Sequence, residues 1–303
     1  MDSGEGATVA LHWKARPEGG GWFAIWLIRT IGLKLGRPLA RSLLYPITLY
    51  FYFRRPFERR ISQAFLTRIF GRRASALEVM RHIHRFASTI LDRVFLLAGR
   101  DRDFTFDVDG TEELDGALAE GRGVLLFGAH FGSFEALRAI GGARSPARVR
   151  VLMHEDNARK LNATLGALDK SASQDVIVLG RPQTMLEVRD ALRAGEIVGL
   201  LADRAVAHDR LVTCDFLGAR APFPQGPFVL ASILEVPIVL FCAVCDGSGA
   251  YRVRFERFDV ATADARATIA SQVQRYASWL EAKCRADPLN WFNFYDFFAQ
   301  PRA

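Results

Sequence analysis

Cysteine is scarce in this sequence, which excludes a fold held together by disulfides. Only four of the 303 residues are cysteines, and Cys214, Cys242, Cys245 and Cys284 are too scattered for a disulfide scaffold. So few cysteines without a disulfide scaffold are typical of a protein in a reducing cytoplasm. Cys242 and Cys245 have the spacing of a redox or metal motif, but they lie in one apolar, strand-like run with no second such pair. We therefore expect buried structural thiols.

The short motifs of nucleotide and metal enzymes are also missing. There is no Walker phosphate loop, no dinucleotide glycine fingerprint after a first strand, and no paired Cys or His set for zinc. Ser133 lacks the glycine spacing of a nucleophile elbow. We therefore expect neither a cofactor nor a metal, and a nucleotide enzyme, a metal enzyme or a serine hydrolase is unsupported.

The sequence does contain a large apolar fraction and a basic front end. Half of the residues are apolar, which is enough for a sizeable core. The first 100 residues contain 17 Lys or Arg against 6 Asp or Glu, whereas the remainder contains 23 against 27. The glycine-rich start has no basic region leading into an apolar one, so we expect a tail and no secretory signal.

Residues 22–53 combine aromatic side chains with cations. The apolar runs 22–28 and 42–53 are each shorter than the roughly 18 residues that a spanning helix needs. Rings beside Arg and Lys suit a segment lying on anionic lipid, so we predict membrane attachment, the alternative being a core helix pair with a basic solvated face. The aromatics lie within apolar runs and are not interleaved with cations, so we expect no nucleic-acid partner.

Residues 59–99 predict an amphipathic helical hairpin. His82 and His84 lie there beside Arg81 and Arg85, without a carboxylate at ligand spacing. We expect both histidines to be surface residues of a helix.

From Phe104 onward, short apolar runs alternate with helical patterns. The predicted strands are 104–108, 124–127, 149–152, 176–179, 197–201, 238–244 and 251–255, and the predicted helices are 112–119, 134–140, 158–168, 185–193 and about 263–284. This alternation predicts an α/β fold with a largely parallel central sheet flanked by helices and preceded by an N-terminal helical, membrane-associated segment. We expect the tail and that segment to span 1–57 and the α/β domain 58–303. Residues 214–232 predict an apolar loop that lines a groove or packs on the core before entering a helix.

His130 and Glu135 occur where the strand 124–127 gives way to a helix. His130 is expected in the turn, and Glu135 in or near the first helical turn, which would start about Ser133 with Ser133 as a plausible N-cap. A carboxylate on one imidazole nitrogen raises the basicity of the ring and leaves the other nitrogen free to accept a proton. The alternative is a histidine that merely caps or packs in a turn.

Asp203 and Arg204 follow the end of another predicted strand. Active sites in open α/β sheets gather at the carboxyl ends of strands, so both residues are expected to approach His130. The alternative is a surface ion pair in a polar loop.

Five motifs occur in a fixed order along the chain. They are HFGSFE at 130–135, LLADR at 200–204, DFLG at 215–218, PFPQGPFVLA at 222–231 and DPLNWFNF at 287–294. In these motifs the chain resembles the lysophospholipid acyltransferase-like superfamily, and specifically its lipid A late-acyltransferase branch, from about residue 20 to the C-terminus.

The resemblance implies acyl transfer at the cytoplasmic face of a bacterial inner membrane, by a peripheral or monotopic protein. The donor would be an acyl carrier protein or coenzyme A thioester, and the acceptor a lipid. His130 would be the general base and Glu135 its orienting partner. The substrate-contacting residues would be Asn157, Arg159, Asp203, Arg204, Gly218, Pro224 and Gly226. Because a thioester is already activated, direct attack needs no covalent enzyme intermediate, and donor groups need only hold the oxyanion.

The chain departs from the lipid A pattern at two places. No basic cluster follows Pro288 and Trp291, and Arg204 replaces the usual glutamine. The lost cations would suit an acceptor with fewer phosphates. The ending WFNFYDFF resembles acyltransferases of aryl polyene and xanthomonadin-type pigment lipids, which makes these the expected acceptor class. Lipid A secondary acylation of the lauroyl or myristoyl type is the alternative. A non-catalytic membrane lipid-binding protein is the alternative of another class, although it would often have a broken His-Glu pair.

Overall fold

Three helices open the part of the chain that the computed structural model describes. The described residues are 32, 34, 36–137, 140, 147–154, 175–205, 209–259 and 265–298. The helices are α1 (Arg37–Arg54), α2 (Pro56–Phe70) and α3 (Ala76–Leu97). Ser75 begins α3 with a capping box, in which its hydroxyl accepts from Glu78 N–H and the Glu78 carboxylate accepts from Ser75 N–H. The helical hairpin predicted for 59–99 is confirmed as α2 and α3.

A mixed sheet with helices follows. In chain order, the elements after α3 are β1 (Thr105–Asp109), α4 (Thr111–Ala119), β2 (Val124–Gly128), β3 (Val149–His154), β4 (Val176–Leu179), α5 (Thr184–Arg193), β5 (Ile197–Leu201), β6 (Leu211–Phe216), β7 (Ala219–Pro224), α6 (Gly226–Leu234), β8 (Ile238–Cys245), β9 (Ala250–Phe258) and α7 (Ala265–Ala286). Seven strands form one sheet in the order β1-β9-β8-β2-β5-β3-β4. All its pairs are parallel except β8 with β9. The predicted α/β class is confirmed.

The central strands β2 and β8 are buried on both faces of the sheet. Leu125 and Phe127 enter one apolar core, whereas Val124 and Leu126 enter the other, as the two-residue period of a strand requires. Cys242 and Cys245 are divided between the same two cores. The prediction of buried thiols facing opposite sides is confirmed.

Residues 211–224 form a hairpin, so the loop predicted for 214–232 is wrong in its secondary structure, whereas its packing on the core and its entry into a helix, α6, are confirmed. β6 and β7 pair antiparallel as a separate two-stranded sheet. The turn residues Leu217 and Gly218 have φ of 50° and 74°, a left-handed conformation that favours glycine. Phe216 and Phe223 are fully buried and in edge contact, so the hairpin packs on the core. Their glycine and proline neighbours concealed the strand pattern.

Helix α1 packs on α3 through one face and exposes apolar side chains on the other. Ala40 and Leu44 are buried in one core with Leu91 and Phe95 of α3. The exposed apolar residues of α1 are Leu39, Tyr45, Leu49, Tyr50 and Phe53. Among the described residues no helix combines the length and apolar character needed to cross a bilayer. Residues 22–31 lie outside the described part, so membrane attachment and a domain boundary after residue 57 stay predictions.

Candidate active site

The register of β2 and β5 brings His130 and Asp203 together. In these parallel neighbours Gly128 pairs with Leu201. His130 lies two residues after the end of β2, and Asp203 lies two residues after the end of β5. Ala202 N–H donates to the Gly128 carbonyl at 3.0 Å, which extends the pairing past the strand ends. His130 Nδ1 consequently lies 2.8 Å from Asp203 Oδ1. The predicted approach of Asp203 to His130 is confirmed.

The Asp203 carboxylate is fully buried and accepts four hydrogen bonds. Oδ1 accepts from His130 Nδ1 and from the His130 backbone N–H at 3.1 Å. Oδ2 accepts from Trp291 Nε1 at 3.3 Å and from Asn293 Nδ2 at 3.1 Å. An ionised carboxylate only accepts, so four donors suit Asp203 as the anion and require the proton of neutral His130 to be on Nδ1.

The charges around the pair favour ionised Asp203 beside neutral His130. Burial would raise the pKa of Asp203, but His130 and the Arg204 cation together hold that pKa well below its ordinary value. Burial lowers the pKa of His130, Arg204 lowers it further, and Asp203 opposes both. The His130 side chain is 26% exposed, and Nε2 has no hydrogen-bond partner within the described ranges. A neutral imidazole with a reachable lone pair is what a general base requires.

The segment after α7 completes the site. Phe131 forms an antiparallel bridge with Trp291, and Phe292 N–H donates to the His130 carbonyl at 2.8 Å. Arg204 donates from Nε to Asn293 Oδ1 at 2.5 Å and from its terminal nitrogen to the Phe292 carbonyl at 2.9 Å. The contacts of Trp291 and Asn293 with Asp203 were not predicted from the sequence. The available signal in the sequence was the presence of two hydrogen-bond donors, the Trp291 indole and the Asn293 amide, within an aromatic run.

Glu135 is held by α3. Its Oε1 lies 2.6 Å from Arg93 Nε, and its Oε2 lies 3.5 Å from the Ser133 hydroxyl. The described contacts do not include the predicted one with His130, because Glu135 faces α3 while Asp203 occupies the Nδ1 side of the ring. The helix begins at Glu135 and not at Ser133, whose N–H donates to the Ala243 carbonyl at 2.9 Å. A catalytic role for Glu135 stays a prediction.

His82 is buried, so its predicted surface position is wrong. It is 0% exposed, with Nε2 2.9 Å from the Trp291 carbonyl and Nδ1 2.8 Å from Ser62 Oγ. The imidazole also packs against Phe65 and Phe294. Both ring nitrogens have partners, which makes the burial of a neutral histidine affordable. His84, by contrast, is partly buried and stacks on Tyr45.

The other predicted substrate-contacting residues lie apart from the His130 and Asp203 contacts or outside the described chain. Gly218 lies in the β6–β7 turn, Pro224 ends β7, and Gly226 begins α6. In the described part of the chain, none of these three has a hydrogen bond to His130 or Asp203. Asn157 and Arg159 lie outside the described residues.

Comparison with protein-family models matches residues 12–299 to the bacterial lipid A biosynthesis acyltransferases. No curated protein gave a match. The family match spans nearly the whole chain and includes His130, Asp203 and the segment that carries Trp291. The chain therefore belongs to the bacterial lipid A biosynthesis acyltransferase family.

Proposed function

We propose that this protein transfers a fatty acyl or aryl polyene acyl group from a carrier-protein or coenzyme A thioester to a hydroxyl of a lipid or glycolipid. His130 is the general base. The observation that carries this proposal is the hydrogen bond from His130 Nδ1 to the buried Asp203 carboxylate, because it directs Nε2 away from the carboxylate. Membership in an acyltransferase family supports acyl transfer to a lipid.

In the proposed reaction the acceptor oxygen attacks the thioester carbonyl while His130 Nε2 takes the hydroxyl proton. The carbon–sulfur bond then breaks, an ester forms, and the protonated imidazole returns the proton to the leaving thiolate. Thioester and alcohol thus become ester and thiol, and the step balances without a further reactant. Asp203 stabilises the transient imidazolium because it is ionised and 2.8 Å away.

The acceptor is proposed to be a lipid of the aryl polyene or xanthomonadin type. No basic cluster follows Trp291, and Arg204 bonds to Asn293 and the Phe292 carbonyl. The family description favours a second candidate, secondary acylation of lipid A. Mass spectrometry of lipids from cells with and without the protein distinguishes the two candidates. In cells without the protein the acceptor lacks one acyl group, and the mass of that under-acylated lipid differs between the two candidates.

The place of action is proposed to be the anionic cytoplasmic face of the inner membrane. The exposed apolar face of α1 includes Leu49, Tyr50 and Phe53, which are 50%, 59% and 68% exposed. Arg54 and Arg60 are exposed near its end. Apolar side chains beside cations are typical of a helix that lies at the surface of an anionic membrane.

The test of the proposed function is acyl transfer by the full chain and by His130→Ala. C12, C14, C16 and aryl polyene acyl thioesters of acyl carrier protein and of coenzyme A are offered with lipids extracted from a strain lacking the protein. We expect His130→Ala to reduce transfer per folded molecule by about a hundredfold to ten-thousandfold. A variant with the parent melting temperature and the parent rate would contradict His130 as the base. Absence of transfer by the parent from every thioester would instead favour a lipid-binding protein.

A further inference from the structure

We infer that Asp203, and not Glu135, is the carboxylate that positions His130, and that Trp291, Asn293 and Arg204 hold it in place. This inference rests on the proposed role of His130 as general base. It assigns a positioning role to a residue that sequence analysis assigned to substrate contact.

Among the described contacts, His130 is hydrogen-bonded to Asp203 and not to Glu135. Asp203 Oδ1 accepts from both the backbone N–H and Nδ1 of His130, so one oxygen determines where the residue and its ring lie. Glu135 is paired with Arg93 at 2.6 Å instead. A positioning carboxylate must lie within hydrogen-bond reach of the base that it orients, and Asp203 meets that condition.

The Asp203 carboxylate is itself held in place by neighbouring donors. Trp291 Nε1 and Asn293 Nδ2 both donate to Oδ2, which prevents the carboxylate from rotating away from the ring. Arg204 Nε donates to Asn293 Oδ1, and this bond orients the amide so that its NH₂ group faces Asp203. A chain of hydrogen bonds therefore runs from Arg204 through Asn293 and Asp203 to His130.

The negative charge of Asp203 is compensated by its surroundings. Asp203 is fully buried, and a buried carboxylate stays ionised only when donors and a cation compensate for its loss of hydration. Arg204 supplies the nearby cation but bonds to Asn293 and the Phe292 carbonyl, which leaves Oδ1 to His130. The anion can thus stabilise an imidazolium when it forms, and the base remains neutral until then.

The test begins with the unmodified protein. In ¹⁵N NMR spectra, the His130 ring is assigned by comparison with His130→Ala. We expect a neutral ring with its proton on Nδ1, because ionised Asp203 can only accept. A neutral ring with its proton on Nε2 would overturn the inference, whatever the behaviour of any variant.

The second measurement compares Asp203→Asn with Asp203→Glu and the matched control Glu135→Gln. We expect Asp203→Asn to lower kcat by on the order of 10²- to 10⁴-fold with little change in KM, and Asp203→Glu to recover part of that loss. The Nδ1–H tautomer should be depleted in Asp203→Asn and retained in Glu135→Gln. The acidic limb of the kcat profile should move to lower pH in Asp203→Asn, because the anion raises the pKa of His130.

The outcomes separate the inference from the proposed function. If His130→Ala is inactive while folded Asp203→Asn keeps the parent kcat and pH profile, the base stands and the positioning role of Asp203 fails. If Glu135→Gln shifts the acidic limb and Asp203→Asn does not, Glu135 is the orienting residue. If His130→Ala remains fully active, the proposed mechanism itself fails.

Discussion

Arg37 of α1 and Asp92 of α3 form a buried ion pair, with Arg37 Nε 2.9 Å from Asp92 Oδ1. Asp92 is fully buried and also accepts from the Tyr251 hydroxyl at 3.1 Å. Arg37 donates a further bond to the Ser248 carbonyl at 2.7 Å. Removing one partner of a buried pair leaves an uncompensated charge, at a cost of roughly 3–5 kcal/mol. Deleting residues 22–53 would therefore damage the fold, and membrane attachment is better tested by substitutions on the exposed face of α1.

Replacing Leu49, Tyr50 and Phe53 together by serine should release the protein from membranes. These side chains are at least half exposed, so the folded core loses little. At about 1 kcal/mol of lost apolar burial in lipid for each, binding should weaken on the order of a hundredfold. Co-sedimentation with vesicles, with and without anionic lipid, measures the change.

A matched control replaces three exposed apolar residues on other helices. Leu77, Met185 and Leu186 are 52%, 46% and 51% exposed, and changing all three to serine should leave vesicle binding unchanged. Equal losses in the two triple variants would mean that the α1 face has no special role.

Gly132→Ala should destabilise the protein far more than Gly121→Ala. Both glycines have left-handed φ, +73° and +72°, so each alanine costs about 1–2 kcal/mol for its backbone conformation. A Cβ at Gly132 would also overlap the Ala243 carbonyl, whereas a Cβ at Gly121 has no heavy atom within 4 Å among the surroundings described. We expect about 3 kcal/mol or more for Gly132→Ala, measured by urea unfolding. Similar losses at both positions would show that the turn after β2 can move away from β8.

The free energy of unfolding should fall between pH 7 and pH 4, partly because of His82. Burial lowers its folded pKa from the ordinary 6.5 to about 4, although the bond to the Trp291 carbonyl raises it in part. Between those values the unfolded chain binds a proton that the folded chain does not, so this contribution is complete above pH 6.5 and is lost as pH falls. The loss is at most on the order of 3 kcal/mol.

His82→Gln isolates that contribution, because glutamine can still donate to the Trp291 carbonyl but does not titrate. Urea unfolding at pH 7 and pH 5 should show a smaller loss of stability in the variant than in the parent. An identical loss would mean that other groups, such as His130, account for the acid sensitivity.

The sheet could be predicted from the sequence because its signals are local. The strands at 176–179 and 197–201 have the predicted bounds, since short apolar runs between polar residues leave few alternatives. The hairpin at 211–224 was missed because glycine and proline indicate loops when they are considered without their neighbours. The antiparallel pairing of β6 with β7 and the burial of Phe216 and Phe223 became evident only in the structure.

The site could be predicted in part, and the limit was distance along the chain. Strand ends located His130 and Asp203, because parallel neighbours present their carboxyl ends at one edge of the sheet. The groups that support Asp203 are remote from it in sequence, because Trp291 Nε1 and Asn293 Nδ2 are its donors. Sequence spacing also favoured Glu135 as the partner of His130, but the tertiary contact with Arg93 prevailed.

The bridge between Phe131 and Trp291 joins His130 to a segment that is synthesised long after it. A nascent chain that has not reached Trp291 already contains His130 and Asp203, yet it lacks both donors to Asp203 Oδ2. The same holds for a molecule whose C-terminal segment has been cut or has come loose. Under the proposed mechanism we therefore expect acyl transfer to depend on completion of the polypeptide, so that unfinished or damaged copies would be poor catalysts even where the sheet is intact.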